Sequence, residues 1–233
     1  VSSRCGSADV FEALGVRVSA SPVLVERCLA EAGIGFFFAP TFHPAMRHAA
    51  QARRELGVRT VFNLLGPLTN PAGATMQLIG VPKPELTEPM ARALLLLGAE
   101  RAWVVHGEDG IDEISLGGST KISECRHGSV HTFYLHPADV GLARSPSGSL
   151  QGGDAKENAG IITRILAGGD GPKREVVLLN AGAALFVAGA ASSIKEGIGR
   201  AAAAIDRGDA TRTLERMVAI SSAEETGTGA GAP

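Results

Sequence analysis

Apolar positions recur along the chain in two rhythms. Short blocks rich in Val, Ile and Leu, bounded by Gly, Pro or polar clusters, mark strands. Met76–Val81 and Arg101–Val105 are two such blocks. Between them Glu85–Leu97 has helical spacing and stops at Gly98. Strand, helix and strand in that order predict a parallel βαβ unit. Thr120–Cys125 and Val130–Leu135 are further strands, and Arg126-His127-Gly128-Ser129 between them is a hairpin turn. Ile34–Ala39, within GIGFFFA, reads as a buried strand ended by Pro40.

Helical spacing accounts for most of the remainder. Ser7-Ala8-Asp9 opens a short helix that Gly15 ends, with Ser7 as its cap. Ser21-Pro22 is a cap followed by proline in the first turn, and starts a helix to Ala32 with Val25, Cys28 and Leu29 on one face. His43-Pro44 opens a helix to Leu56. Thr60–Leu65 is a short apolar segment, after which Gly66-Pro67 and Asn70-Pro71 break the chain. Asp154 caps a helix reaching Ala167, and Val176–Ala190 is apolar and too long for a strand, hence a buried helix. Ser192–Asp206 and Asp209–Ile220 are two more, joined at Arg207-Gly208. Residues 222–233 form a disordered tail. No repeat and no linker divides residues 1–221.

Composition narrows the class. Of 233 residues, 45% are hydrophobic and 20% charged, which fits a globular domain with a sizeable core. A net charge of −2 without a basic tract argues against nucleic acid or an acidic membrane surface as partner. No apolar run reaches the roughly 18 residues that a membrane span requires. Three cysteines without CxxC spacing predict free thiols, and with no leader recognisable the expectation is a cytoplasmic protein.

The densest chemistry follows the strand at 101–105. His106-Gly107-Glu108-Asp109-Gly110 has the composition of a tight loop, and Asp112 and Glu113 follow side by side. Ligands of open α/β sheets collect beyond the carboxyl ends of strands. Carboxylates there suit Mg²⁺, which takes one or two of them and leaves its other positions to water and phosphate. A solvated acidic loop is the plain alternative. The serine-rich start of the chain feeds a helix N-terminus, an arrangement that favours anions. The helix from His43 carries Arg47, His48, Arg53 and Arg54, and Arg53 and Arg54 point about 100° apart. One arginine can face a cleft, or the whole face can be solvated.

Four segments, SSRCGSADVFEALGV, FFFAPTFHPAMRHAAQARRELGVRTVFNLLGPLTNPA, VVHGEDGIDE and GDAKENAG, resemble the anthranilate phosphoribosyltransferase family in order and spacing. The resemblance extends from residue 1 to about 221. It implies an α/β fold with a mostly parallel sheet flanked by helices, nucleoside phosphorylase-like, with part of a small helical domain against which residues 43–72 pack. It implies a homodimer that joins the amine of anthranilate to ribose C1 of phosphoribosyl pyrophosphate and releases pyrophosphate. By resemblance Asp112 and Glu113 bind Mg²⁺, and Arg53 contacts the anthranilate carboxylate. His43 and Pro44 lie near the anthranilate access path. Val1, Ser2, Ser3 and Ser7 surround phosphoribosyl pyrophosphate. No acid–base or covalent catalytic residue is implied, because the amine is already a nucleophile.

Family members carry a helical part, a glycine-rich GTGGD loop and a KHGN segment ahead of this region. The expectation is therefore a chain without the N-terminal portion, inactive or nearly so by itself. A pyrimidine nucleoside phosphorylase, of related architecture, is the other enzyme reading, and a fragment that needs its N-terminal part is the non-catalytic one.

Overall fold

The computed structural model describes residues 5–44 and 62–224. The chain forms two compact units, each discontinuous in sequence. One takes 1–58, 153–163 and 208–233, and the other takes 59–152 and 164–207. The path changes unit without a composition shift, so no linker signals the division.

In the first unit, α1 (Ser7–Ala13) begins after Gly6, with Ser7 as its first residue and not its cap. The Asp9 carboxylate instead accepts the Gly6 N–H at 2.8 Å. Helix α2 (Pro22–Arg27) starts at Ser21, whose hydroxyl accepts the Leu24 N–H, and continues as a π turn over Cys28–Ala32 to Gly33 at φ +76°. Residues 34–38 correct the strand expectation: they join no sheet, and Pro40 lies in the first turn of α3 (Ala39–Phe42) instead of ending a strand. The three phenylalanines satisfied the pattern of a buried strand, but the only sheet among the described residues lies in the other unit. Phe36 packs on Phe11 and Phe37 on Phe42, both with ring centroids 4.9 Å apart.

The first unit is closed by α9, Asp209–Ser221, which brings the end of the described chain onto its beginning. Met217 and Ile220 share a core with Val16 and Cys28. The Arg17 N–H donates to Ser221 Oγ at 3.1 Å, its Nε to the Ser221 carbonyl at 2.8 Å, and its Nη2 to the Ala223 carbonyl at 2.7 Å.

The second unit opens with α4, Phe62–Leu68, which runs through Gly66-Pro67 where the sequence suggested a break. Pro67 falls in the last turn, and Thr69 serves the freed end. Its hydroxyl donates to the Leu65 carbonyl at 2.9 Å and its N–H to that of Gly66 at 3.2 Å. The sheet follows in the order β1 (Met76–Gly80), β2 (Arg101–Gly107), β3 (Thr120–Arg126), β4 (Ser129–Leu135). Helix α5, Thr87–Leu96, joins β1 to β2 as the expected parallel crossover. The other two pairings are antiparallel, so the four described strands form a mixed sheet. The hairpin turns at His127-Gly128, with φ +50° and +76°, the doubly left-handed geometry that suits twisted strands.

All seven residues of β2 are buried. Ala102 and Val104 face a core with Met90, Ala91 and Leu94 of α5. Trp103 and Val105 face a core with Leu179, Ala183 and Val187 of α7 (Pro172–Val187). A strand covered on both faces is the mark of an α/β layer. Helices α7 and α8 (Ile194–Asp206) touch through glycines, since a Cβ on Gly182 would stand 2.6 Å from the Ile198 nitrogen. Helix α6, Ala155–Leu166, begins at Asp154, which exchanges hydrogen bonds with Glu157 at 2.8 and 3.0 Å in a capping box. The helix read over 176–190 thus starts four residues earlier, at a proline.

Candidate functional site

The chain leaves β2 into the acidic loop, and β1 ends beside it. Val81 donates its N–H to the Val105 carbonyl at 3.0 Å, and the Val81 carbonyl lies 2.8 Å from His106 Nδ1. His106 is buried, so a proton on Nδ1 is fixed by that carbonyl. The loop then folds over the end of β1. A Cβ at Gly80 would land on the carbonyl oxygen of Asp112, so only glycine lets the acidic pair sit there.

Beyond the pair the backbone is gripped from α7. Asn180 Oδ1 accepts the Ile114 N–H at 3.0 Å, and its Nδ2 donates to the Ile114 carbonyl at 2.9 Å. The Ser115 N–H donates to Thr120 Oγ1 at 2.9 Å, and the Gly117 N–H to Ser115 Oγ at 2.7 Å. Asp112 and Glu113 are thus two exposed residues on a loop whose flanks are buried and hydrogen-bonded. The protein around the Glu113 carboxyl, and secondarily the Asp112 charge, push its pKa above the ordinary value.

Two adjacent oxygen donors, one of them reluctant to ionise beside the other, fit a hard divalent cation, whose charge would bring that carboxyl back down. Among the described residues no three His, Cys, Asp or Glu side chains converge to hold a metal by themselves. The pair would have to share its cation with ligand oxygens.

The other site residues expected from the sequence are distributed as follows. Ser7 is exposed at the start of α1, in the first unit. His43 ends α3, its N–H donating to the Ala39 carbonyl at 2.8 Å, and Pro44 follows exposed. Val1, Ser2, Ser3 and Arg53 lie outside the described residues. The sequence reading missed Gly80 and Asn180, which place the acidic pair. A lone glycine inside an apolar strand was the one signal available for the first. Nothing local signals the second, 66 residues away from the backbone it holds. Cys5, Cys28 and Cys125 are free, and burial pushes the Cys28 and Cys125 thiols up, away from nucleophile chemistry. No helix among the described residues is long and apolar enough to cross a membrane.

An acidic loop at the carboxyl end of a parallel strand lies where open α/β sheets collect their ligands, and that layered α/β architecture is the class to which the fold belongs. Within that class the chain belongs to the family described as "Glycosyl transferase family, a/b domain", whose model matches residues 1–211. Its similarity to anthranilate phosphoribosyltransferases is close. That of Thermomicrobium roseum is 56% identical over 226 residues, and that of Rhodopseudomonas palustris 51% identical over 223. Each match covers 96% of this chain but only 65% and 66% of the relative, so the chain spans about two thirds of their length.

The crystal structure of anthranilate phosphoribosyltransferase from Thermus thermophilus aligns at a TM-score of 0.88 and 50% identity, over 94% of this chain and 65% of that one. The Saccharomyces cerevisiae enzyme in complex with PRPP and Mg aligns at 0.85 and 31%, over 94% and 63%. The resemblance carried by the four sequence segments is thereby confirmed, as is the nucleoside phosphorylase-like α/β fold it implied.

Proposed function

We propose that this chain carries the α/β portion of an anthranilate phosphoribosyltransferase. The reaction joins the amine of anthranilate to ribose C1 of phosphoribosyl pyrophosphate and releases pyrophosphate, a step of tryptophan biosynthesis. The observation that supports the reading most is the Asp112–Glu113 pair, set at the carboxyl end of a parallel strand in a chain half identical to enzymes of that name. A yeast relative has been crystallised with 4-fluoroanthranilate and another time with PRPP and Mg. Asp112 and Glu113 would hold Mg²⁺ together with the pyrophosphate, where the cation offsets the charge that develops on the leaving group.

Arg53 offers the planar fork that a carboxylate matches, and so orients anthranilate. His43 and Pro44 line its access, and Val1, Ser2, Ser3 and Ser7 surround the phosphoribosyl pyrophosphate. The aromatic amine brings its own lone pair, so the protein's work is to align amine, C1 and leaving oxygen and to exclude water. We place the full-length protein in the cytoplasm as a homodimer, consistent with its free thiols.

The test is turnover of anthranilate, followed by its fluorescence, in a protein of the relatives' full length. Asp112→Asn with Glu113→Gln should lower turnover by about a hundredfold or more while circular dichroism is unchanged. An unaltered dependence on Mg²⁺ in that double variant would overturn the assignment of the pair. Phosphorolysis of thymidine without transfer to anthranilate would overturn the reaction.

A further inference from the structure

Asp112 and Glu113 are gripped by the backbone on either side of them and left free at their side chains. On one side the Asp112 carbonyl lies over Gly80, too close to admit a Cβ. On the other, the Ile114 N–H donates to Asn180 Oδ1 at 3.0 Å, and the Ile114 carbonyl accepts from Asn180 Nδ2 at 2.9 Å. The same Nδ2 donates to the Val176 carbonyl at 3.0 Å, one turn back on α7. The amide is thus wholly spent on backbone groups. Asp112 and Glu113 are exposed, and no hydrogen bond within the described residues occupies either carboxylate.

The clamp is carried by a rigid element. Leu179 and Ala183 of α7 are fully buried in the core that contains Trp103 and Val105 of β2. Helix α8 backs the same stretch, where Gly182 meets Gly197 and Ile198. The side chain that holds Ile114 therefore moves only with the core. A ligand residue whose backbone is free in the empty site must be ordered when the metal arrives, and a residue fixed beforehand is spared that cost. A loop that needed only to be closed could be held at any of its residues. Asn180 holds the one next to Glu113.

We infer that Asn180 is a positioning residue for the metal site: by fixing Ile114 it presets Glu113, and with it the acidic pair, for a divalent metal–pyrophosphate complex. The inference rests on the metal-binding reading of Asp112 and Glu113. Asn180 carries no charge and acts through the position of the backbone alone. Its loss therefore costs metal affinity in a protein that is still folded. A clamp present only for stability would lower the Tm and leave the affinity of the folded protein as it was.

The experiment is calorimetric titration of a protein of the relatives' full length with preformed magnesium pyrophosphate, at a temperature where circular dichroism shows the variants folded. It compares the native protein, Asn180→Ala, Leu94→Ala, and Asp112→Asn with Glu113→Gln. Asn180→Ser is the milder variant, and it decides if Asn180→Ala does not fold. Leu94 is buried on the other face of β2, so Leu94→Ala destabilises through a cavity and leaves the loop alone. The Asn180 variants should weaken binding about tenfold, as loss of a group that orients a metal ligand can. Leu94→Ala should bind like the native protein. Asn180 variants that bind like native overturn the inference, and so does an equal loss in Leu94→Ala, which would mean that any destabilisation loosens the site. If the Asp112/Glu113 variant binds like the native protein, or the native protein does not bind, the metal reading itself fails and the inference with it. If that variant loses binding while the Asn180 variants keep it, only the role of Asn180 falls.

Discussion

Asn180 holds Ile114 by both of its backbone polar groups, accepting the N–H at 3.0 Å and donating to the carbonyl at 2.9 Å. Ile114 is buried and directly follows the acidic pair, so this clamp ends the freedom of the loop. Asn180→Ala leaves a buried donor and acceptor unpaired and should cost about 2–4 kcal/mol. Urea unfolding should show a lower midpoint at unchanged slope. A midpoint equal to native would mean that water replaces the amide without loss.

Two glycine substitutions should have opposite signs. At Gly80 a methyl group meets the Asp112 carbonyl, so Gly80→Ala must displace the acidic loop or the strand end and should destabilise by about 1–3 kcal/mol. Gly199 sits exposed in α8 without a positive φ, and a methyl group added there would meet nothing within 4 Å. Gly199→Ala should therefore stabilise by roughly 0.5–1 kcal/mol. Paired thermal melts check both.

Glu113 sets a pH dependence. Its pKa is raised by the loss of solvent around the carboxyl and by Asp112, so the folded state favours the protonated form. That contribution to stability is present below the ordinary value of 4.5 and is lost as pH rises through the raised folded value. Glu113→Gln should therefore gain stability relative to native as pH climbs from below that ordinary value to neutrality. Metal binding at the pair should strengthen over the same climb, because the cation and the proton compete. Equal stability differences at both ends of the range would deny the shift.

For Arg53, substitution by alanine in a full-length protein should raise KM for anthranilate well above any change in KM for phosphoribosyl pyrophosphate, since a carboxylate–arginine contact serves mainly binding. Steady-state kinetics with each substrate varied in turn decides it, and equal effects on both would count against the role.

Local signals carried most of the fold. Ser21-Pro22, Asp154 and His127-Gly128 each encode their geometry within a few residues, and each sits where the sequence placed it. The failures come from contacts and bonds that a hydrophobic pattern alone does not show. Phe36-Phe37-Phe38 has a strand's hydrophobicity, but its rings pack locally and no strand pairs with it. Gly66-Pro67 reads as a break, but Thr69 supplies the bonds that let α4 finish. At the site, Asp112 and Glu113 were legible as neighbouring carboxylates after a strand. The burial of both Asp109 carboxylate oxygens was not, because it depends on Gly117, which reaches them only when the loop closes.

The bonds from Arg17 to Ser221 span 204 residues, and they join the first helices to the last. A ribosome adds about 5–20 residues per second, so the segment around Arg17 waits roughly 10–40 s for its partner. Throughout that interval Val16 and Cys28 lack Met217 and Ile220, which complete their core, whereas the sheet of the other unit can already close. Newly made chains should therefore bind holdase chaperones through the segment that carries α1 and α2, and release should follow the emergence of α9.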